Sequence, residues 1–228
     1  MTKEKNSPTA DNAGHKGDQN GYPVPRHKSD KHEFGTWFYI SKHIAHNLLD
    51  FETVNERICK IMVKLKHYNL VLIPTHAPTE VAEEDFYSSL GKVFDEVHNY
   101  YMKAILGDFN AKVGKQSYLY PAGGGHSLHN KTNDTGKWMV NFALGRNLAV
   151  TGKWYQYHDI HKVTWTSPDN KTCNQINHIL VDRRHCMNEC DVRSVRGTEI
   201  ESDHFLVRAK IRVKIKGSEK TKKNETEK

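Results

Sequence analysis

Two nearly continuous apolar runs constrain the fold most strongly, because a short apolar run bounded by turn residues is typical of a fully buried strand. They read YNLVLIPTH, at positions 68–76, and MKAILGDFN, at positions 102–110. Between them, from Thr79 to His98, apolar residues recur with helical period, and Thr79 is placed to cap the helix. The sequence therefore predicts two buried strands with a helix between them.

Further strands outnumber the helices. The segment from Ile58 to Thr75 predicts an antiparallel hairpin, and a second helix is predicted to begin at Asn133 or Asp134 and to end near Gly145. The shorter strand-like segments read TWFYIS (36–41), CKIMVKLK (59–66), LAVTGKW (148–154), VTWTS (163–167), NHILVD (177–182) and CDVRSV (190–195). No internal repeat is present. This pattern predicts an α/β fold in which two sheets pack together with helices outside, an α/β sandwich.

The last predicted strand, HFLVRAKIRVKIK at 204–216, alternates between apolar and basic residues. Alternate residues of a strand point to opposite faces. The segment therefore predicts one buried face and one basic face in contact with water.

Charge and composition divide the chain into three parts. Of the formal net charge of +7, residues 210–228 contribute eight Lys or Arg against three Glu, so the basic pI of about 9.1 is mostly a property of these last 19 residues. Residues 1–33 are polar and almost without aliphatic side chains, which predicts disorder. The sequence thus predicts a domain at 34–216 and a flexible basic tail at 217–228.

Cysteine usage and hydropathy indicate a protein inside the cell. The four cysteines are scattered without a framework pattern, which favours free thiols in a reducing compartment. No signal-peptide pattern opens the chain, and no apolar run approaches the roughly 20 residues that a membrane helix needs. We expect a nuclear or cytoplasmic protein that is not secreted and does not bind membranes.

Asp108 and Asn110 end the apolar run at 102–110 and raise the first question of function. If the strand continues, both side chains share one face, where they could hold a water and a phosphate oxygen together. The alternative is an ordinary polar turn, since Asp and Asn are common turn residues.

Three further segments place polar groups at predicted strand ends, where the loops of such a fold gather. THAPTE ends a strand at His76, and ESDHFLV sets Asp203 and His204 before the last strand. VTWTSPDNKTCNQINH, at 163–178, contains Trp165 and Asn174, together with His178. Carboxylates suit Mg²⁺ and histidine can contact or protonate a phosphate oxygen, so the combination resembles metal-assisted phosphodiester hydrolysis.

Four motifs in this order resemble the endonuclease/exonuclease/phosphatase superfamily, in the branch found as the endonuclease domain of non-LTR retrotransposons. They are THAPTE, ILGDFNAKVG, TWTSPDNKTCNQINHILVDRRH and ESDHFLVRAKIR, and the similarity runs from about residue 32 to about residue 222. The resemblance implies a two-sheet sandwich of the DNase-like type and Mg²⁺-dependent hydrolysis of DNA. DNA is therefore the expected partner.

The resemblance also assigns roles around the scissile phosphate. Asp108 resembles the carboxylate that orients the attacking water and helps to bind metal, and Asn110 resembles its partner at the phosphate. Asp203 resembles a metal-site acid. His204 resembles the histidine that contacts the phosphate, and His76 stands where many relatives place a residue near it.

Three more residues are predicted to bind substrate. Asn133 stands where relatives have an asparagine lining the groove, and Trp165 is expected to pack at the DNA-facing loop, with a core position as the alternative. Asn174 lies in the same polar segment as Trp165.

Two departures from the family pattern bear on activity. Relatives begin with strands carrying an Asn and a metal-binding Glu, and nothing in residues 1–34 resembles them, so the sequence predicts a sandwich without its first strands. Asn177 replaces the aspartate that relatives use to orient the histidine matching His204 and to favour its charged form. A neutral amide cannot favour that charge.

Three functions follow as hypotheses. The first is an active Mg²⁺-dependent endonuclease that nicks DNA. The second, which the two departures favour, is a retrotransposon-derived endonuclease-like domain with weak or no activity. The third is an interaction or nucleic-acid-binding module without catalysis.

Overall fold

The structure is a computed structural model that describes residues 21–23, 39–79, 83–186, 191–197 and 202–212. Three sequence predictions fall mainly outside these ranges: the disordered segment at 1–33, the basic tail at 217–228 and the last strand beyond Arg212. Within the first of these segments the structure places one short strand, Gly21–Pro23. Most of residues 1–34, where the sequence has no counterpart of the family's metal-binding Glu strand, also lies outside the described part.

The described residues form twelve strands, five α-helices and three 3₁₀ turns. The strands are β1 (Gly21–Pro23), β2 (Tyr39–Ser41), β3 (Leu48–Asn55), β4 (Ile58–Lys64), β5 (Asn69–His76), β6 (Met102–Asp108), β7 (Leu148–Val150), β8 (Trp165–Thr166), β9 (Cys173–Asn174), β10 (Asn177–Asp182), β11 (Asp191–Val195) and β12 (Leu206–Lys210). The α-helices are α1 (Lys42–Ala45), α2 (Glu83–Glu96), α3 (Tyr120–Gly123), α4 (Asp134–Gly145) and α5 (Arg183–Cys186). Three 3₁₀ turns cover Ser117–Leu119, Thr151–Lys153 and Asp159–His161.

Six strands form the main sheet in the order β3-β4-β5-β6-β10-β7. β4 and β5 pair antiparallel, which confirms the predicted hairpin, and β5 and β6 pair parallel with α2 between them in sequence. The edge strand β3 was not predicted. Its segment, LLDFETVN, lacks a regular apolar alternation, and its Leu49 remains 48% exposed.

The two faces of the main sheet are buried by different partners. One face packs against α2 and α4, where Phe86, Leu90 and Met139 contribute to the larger core. On the other face a smaller core, including Met102 and Ile179, contacts side chains of the second sheet, β11–β12. This arrangement of sheet on sheet with helices outside confirms the predicted α/β sandwich.

The second sheet is less buried than its alternating sequence predicts. Val192 of β11 is buried, and Val207 and Ile211 pack against the smaller core. Ala209, predicted on the buried face, is exposed. That part of the prediction is wrong because the smaller core contacts Val207 and Ile211 but does not cover Ala209 between them.

The helices begin close to the predicted positions. Asn133 caps α4, since its side-chain oxygen accepts a hydrogen bond from the backbone N–H of Gly136 at 2.8 Å. α2 begins at Glu83, and residues 80–82, which separate it from the predicted cap Thr79, are not described. None of the helices in the described ranges is long and apolar enough to cross a membrane.

Candidate functional site

Three neighbouring strands of the main sheet bring polar side chains to one end of the sandwich. His76 ends β5 beside Asp108 of β6, and Asn177 begins β10 opposite the same aspartate. Their strand positions share a face with Leu72, Leu106 and Ile179, the face that packs against the second sheet. The site therefore lies where the space between the two sheets opens to solvent.

The GDFN motif bends the chain immediately after β6. Gly107 has a φ of 152°, and a Cβ at this position would lie 1.8 Å from the carbonyl oxygen of Thr75 on the neighbouring strand. Asn110 has a φ of 50°, so the chain is no longer extended there. The expectation that strand alternation places Asp108 and Asn110 on one face is therefore wrong, because the strand ends between them.

Hydrogen bonds within and beside the turn fix both Asp108 and Asn110. The backbone N–H of Asn110 donates to Asp108 Oδ1 at 2.9 Å, and Asn110 Nδ2 donates to the carbonyl oxygen of Ala77, also at 2.9 Å. Ala77 in turn donates its N–H to the carbonyl oxygen of Asp108 at 2.8 Å. These bonds hold Asp108 and Asn110 against the end of β5. They use Oδ1 of Asp108, whereas Oδ2 of the same carboxylate faces His204.

His204 faces both Asp108 and Asn177. Its Nδ1 donates to Asn177 Oδ1 at 3.2 Å, and its Nε2 lies 3.8 Å from Asp108 Oδ2. The side chain of His204 is 34% exposed and that of Asp108 is 16% exposed, so a ligand at the sheet end can reach both. Thr164 holds the backbone at Asn177, since its Oγ1 accepts hydrogen bonds from the backbone N–H groups of Ile176 and Asn177.

Asp203 binds the indole of Trp165. Trp165 Nε1 donates to Asp203 Oδ2 at 2.6 Å, and Trp165 and His204 form an isolated β-bridge. The backbone N–H of Thr166 donates to the carbonyl oxygen of Asp203 at 2.9 Å. The sequence predicted that Trp165 faces DNA or lies in the core. It did not predict this contact of Trp165 with Asp203, the predicted metal-site acid.

Arg57 is a site residue that the sequence reasoning missed. Its backbone carbonyl accepts the N–H of His76 at 3.0 Å, and its guanidinium donates to the carbonyl oxygen of His76 at 3.4 Å. Burial lowers the pKa of His76, and Arg57 and His204 lower it further, while Asp108 acts in the opposite direction. The sequence predicted a hairpin from Ile58 to Thr75 without a register, and the observed pairing of Ile58 with Thr75 places Arg57 beside His76.

Two predicted substrate-binding residues have local structural contacts. The side-chain oxygen of Asn133 is shared between the N–H groups of Gly136 and Lys112, the second at 2.9 Å. Asn174 is 8% exposed, and its carbonyl oxygen accepts the N–H of Thr164 at 2.8 Å. Little of the Asn174 side chain is therefore accessible to a ligand.

His178 follows Asn177 but lies on the opposite face of the sheet. It is 3% exposed, and its Nε2 donates to the carbonyl oxygen of Ala111 at 2.8 Å, in the segment that follows the GDFN motif. Burial lowers the pKa of His178 to about 4. The neutral imidazole therefore supports the loop behind Asp108 and Asn110 from inside the core and does not belong to the polar site.

Because His178 is buried with a lowered pKa, we expect the free energy of unfolding to fall in acid. An imidazole whose pKa is lower in the folded than in the unfolded chain gains a proton on unfolding. The contribution of His178 is thus complete above about pH 6.5, the ordinary histidine value, and is lost as the pH falls toward 4. In His178→Gln, whose amide can donate to Ala111 without titrating, we expect the free energy of unfolding to change less across this range.

Urea unfolding of both proteins at several pH values between 4 and 8 measures the difference. His67→Gln, at an exposed histidine, is the matched control and should retain the pH dependence of the unchanged chain. His76 and His129, whose pKa values burial also lowers, are present in all three proteins. An equal pH dependence in His178→Gln and the control would contradict the assignment.

The described side chains do not by themselves form a complete metal site. Asp108 and Asp203 are the carboxylates that the sequence assigned to Mg²⁺, but Asp203 is bonded to Trp165, and Asp108 faces His204. Within the described ranges, no group of three or more His, Cys, Asp or Glu side chains is close enough to hold an ion. The donor set of the described residues therefore does not fit the Mg²⁺ that the family resemblance implies.

Comparisons of sequence identify relatives over most of the chain. No family model matches it. Craniofacial development protein 2 from Bos taurus is 29% identical over 191 residues, which cover 82% of this chain and 32% of the relative. The protein of the same name from Tragulus javanicus is also 29% identical over 191 residues. The chain thus spans about a third of the length of these curated relatives.

Comparisons of structure identify the fold. The endonuclease domain of TRAS1, a telomere-specific non-LTR retrotransposon, superposes with a TM-score of 0.53 at 14% identity, over 74% of this chain and 69% of that domain. An endonuclease/exonuclease/phosphatase family protein from Leptotrichia buccalis gives a TM-score of 0.50 at 15% identity, over 84% and 70%. The chain is similar in sequence to craniofacial development protein 2 and has the DNase-like fold of the endonuclease/exonuclease/phosphatase proteins, the fold that its four motifs predicted.

Proposed function

We propose that this chain is a retrotransposon-derived, endonuclease-like domain that contacts the phosphodiester backbone of DNA and hydrolyses it weakly or not at all. The observation that carries the proposal is the position of His204, between Asn177 at 3.2 Å and Asp108 at 3.8 Å, at the ends of three adjacent strands. The fold comparisons and the four motifs support the nuclease-like part. The neutral side chain of Asn177 beside His204 supports the impaired activity.

The polar groups of the site suit a phosphate with one attacking water beside it. Because its Nδ1 donates to Asn177, His204 can donate from Nε2 to a phosphate oxygen only as the imidazolium, and Asp108 can accept a proton from water within the same space. Arg57, behind His76, adds positive charge where the backbone phosphate would lie. Asn110 is fixed by its bond to Ala77 and can present its amide without rearrangement.

Asn177 weakens the arrangement at the step where charge must develop. An aspartate at this position would both orient His204 and stabilise its imidazolium, whereas the amide oxygen only orients it. In the serine-protease triad the corresponding Asp→Asn change costs about 10⁴ in rate. Phosphoryl transfer needs positive charge on the phosphate oxygens, which a bound metal ion would supply. The described residues form no group of three or more potential metal ligands, and this also weakens the site.

Binding at the site can be tested without catalysis. We expect a short DNA duplex, added in the absence of divalent metal, to shift the ring NMR signals of His76 and His204 more than those of the exposed His67 and His98. His76 and His204 lie in the polar site at the sheet end, whereas His67 and His98 lie outside it. The measurement is a titration of the full chain followed by proton–carbon correlation spectra of the histidine rings.

His204→Ala is the matched variant, since it removes one contact and leaves the strands unchanged. It should reduce the shift at His76 at each DNA concentration. Shifts confined to His67 and His98, or equal titrations of the variant and the unchanged chain, would contradict binding at this site.

A further inference from the structure

The outer face of the second sheet carries a cluster of basic and aromatic side chains that the proposed site does not use. In the β11–β12 pair, Arg193 lies opposite Arg208 and Asp191 lies opposite Lys210. Val192 and Val207, at the alternate positions, pack into the core, so these four charged residues point away from it. The basic face predicted from the last strand is thus extended by a second arginine from β11.

Two tyrosines complete this cluster. Tyr157 donates its hydroxyl to Asp191 Oδ1 at 2.8 Å, and the guanidinium of Arg193 lies 4.9 Å from the centre of its ring. The ring of Tyr155 lies 6.0 Å from that of Tyr157, and Tyr155 is 42% exposed. An acceptor and a cation therefore fix one ring, and the other presents its surface to solvent.

These side chains line an open pocket of about 290 Å³, formed by Tyr155, Tyr157, Asp191, Arg193 and Lys210. The volume is near the lower limit for pockets that hold small organic groups, about 300 Å³. Asp191 is neutralised within the cluster by Arg193, whose Nη2 lies 2.6 Å from Asp191 Oδ2. Arg208 and Lys210 are exposed at the rim, so the pocket combines aromatic walls with a positive edge.

The pocket is separate from the proposed phosphodiester site. Lys210 lies six residues beyond His204 along an extended segment, which corresponds to about 20 Å at roughly 3.3 Å per residue. Asp191, its partner, begins β11, while the site lies near the other end of this sheet. A ligand in the pocket would therefore not contact Asp108 or His204 directly.

We propose that this surface binds single-stranded nucleic acid, with a base in contact with the tyrosine rings and phosphates on Arg208 and Lys210. Base stacking on aromatic side chains combined with a cationic track is the usual mode of sequence-tolerant single-strand binding. A duplex fits less well, because its bases are already stacked on one another and only its phosphates could reach the cluster. An acidic peptide would match the charge but would leave the rings without a stacking partner.

The sequence beyond the described strand extends the same charge. Residues 213–228 contain six lysines and three glutamates. This excess of positive charge follows directly on Arg208 and Lys210, which favours a long polyanion over a small anionic ligand.

Fluorescence anisotropy with a labelled oligothymidylate of 12 residues, using the full chain, tests the proposal. We expect Tyr155→Ala to weaken binding about tenfold, within the range for loss of one stacked base. Arg208→Gln combined with Lys210→Gln should reduce the slope of log affinity against log salt by about 1.4, or about 0.7 for each lost phosphate contact.

Matched controls lie elsewhere on the surface. Tyr100→Ala and Lys171→Gln remove an exposed tyrosine and an exposed lysine and should leave oligothymidylate binding unchanged. Thermal unfolding of each variant, measured in parallel, shows whether the fold is retained. Tyr155→Ala is expected to retain it, since that side chain is largely exposed.

The choice of ligand separates the alternatives. An abasic oligonucleotide of the same length should bind at least tenfold more weakly, and oligouridylate in place of oligothymidylate distinguishes RNA from DNA as the natural source. The proposal is overturned if the abasic strand or polyglutamate binds as tightly as oligothymidylate, or if Tyr155→Ala weakens binding of a duplex as much as it weakens binding of oligothymidylate. It is also overturned if Tyr155→Ala and the Arg208, Lys210 double variant both bind like the unchanged chain.

Discussion

Gly107→Ala is expected to lower the free energy of unfolding by about 3 kcal/mol, because the backbone of Gly107 is in a conformation that side chains rarely adopt and has no space beside it. Its φ is 152°, and the added Cβ would lie 1.8 Å from the carbonyl oxygen of Thr75. That atom belongs to the backbone of β5, so the clash cannot be relieved by rotating a side chain. Either β5 and β6 separate at this point or the turn after Asp108 changes.

Urea unfolding followed by circular dichroism measures this loss, with Gly145→Ala as the control. Gly145 ends α4, and no neighbouring atom lies within 4 Å of the position that a Cβ would take there, so alanine should be neutral or stabilising by up to about 1 kcal/mol. A similar small effect at both glycines would show that the close approach at Gly107 is not a real constraint.

Asn177→Asp is expected to leave nicking of supercoiled plasmid in Mg²⁺ at background. The substitution restores a carboxylate beside His204 Nδ1, where the amide oxygen now lies at 3.2 Å, and so adds the negative charge that stabilises the imidazolium. It does not bring a third ligand to Asp108 and Asp203. Because the described residues offer no cluster of three metal ligands to neutralise charge on the phosphate, we expect no gain that a gel assay can resolve.

The control for this substitution is Asn174→Asp, which adds the same charge at a nearly buried position in the adjoining strand. It should also remain at background. Mg²⁺-dependent nicking by Asn177→Asp, absent from Asn174→Asp, would identify the neutral amide as the main defect and would contradict the view that metal binding is the primary loss.

The sequence predicted those parts of the site that depend on motif and strand order. Strand ends at His76 and Asp108 follow from two apolar runs, and parallel pairing of those strands places the two residues side by side. The contact of His204 with Asn177 follows from the family motif. These positions are encoded locally or by pairing register, which periodicity and motif spacing describe well.

The parts that the sequence did not predict depend on contacts between distant loops. Trp165 and Asp203 are 38 positions apart, and their hydrogen bond depends on how β8 meets the segment before β12. β6 ends at Asp108, two residues earlier than alternation assumed, and Asn110 has a left-handed backbone conformation. Arg57 reaches the site through a hairpin end whose turn geometry no periodic pattern fixes.

The same limit applies to the second sheet. Alternation in the last strand predicted a basic face, but only the pairing register shows that Arg193 lies opposite Arg208. Burial depends on what covers a face, and alternation alone does not determine that for Ala209.

The most direct test of impaired catalysis at this site is a comparison of the unchanged 228-residue protein with Asp108→Ala in a plasmid-nicking assay in Mg²⁺. Asp108 contacts the turn at Asn110, pairs with Asn177 of β10 and faces His204, so we expect any nuclease activity of this site to depend on it. An active endonuclease of the same fold serves as the positive control. We expect both proteins to remain at the background of plasmid without protein, whereas Mg²⁺-dependent nicking that Asp108→Ala abolishes would contradict the proposed impairment and establish an active endonuclease.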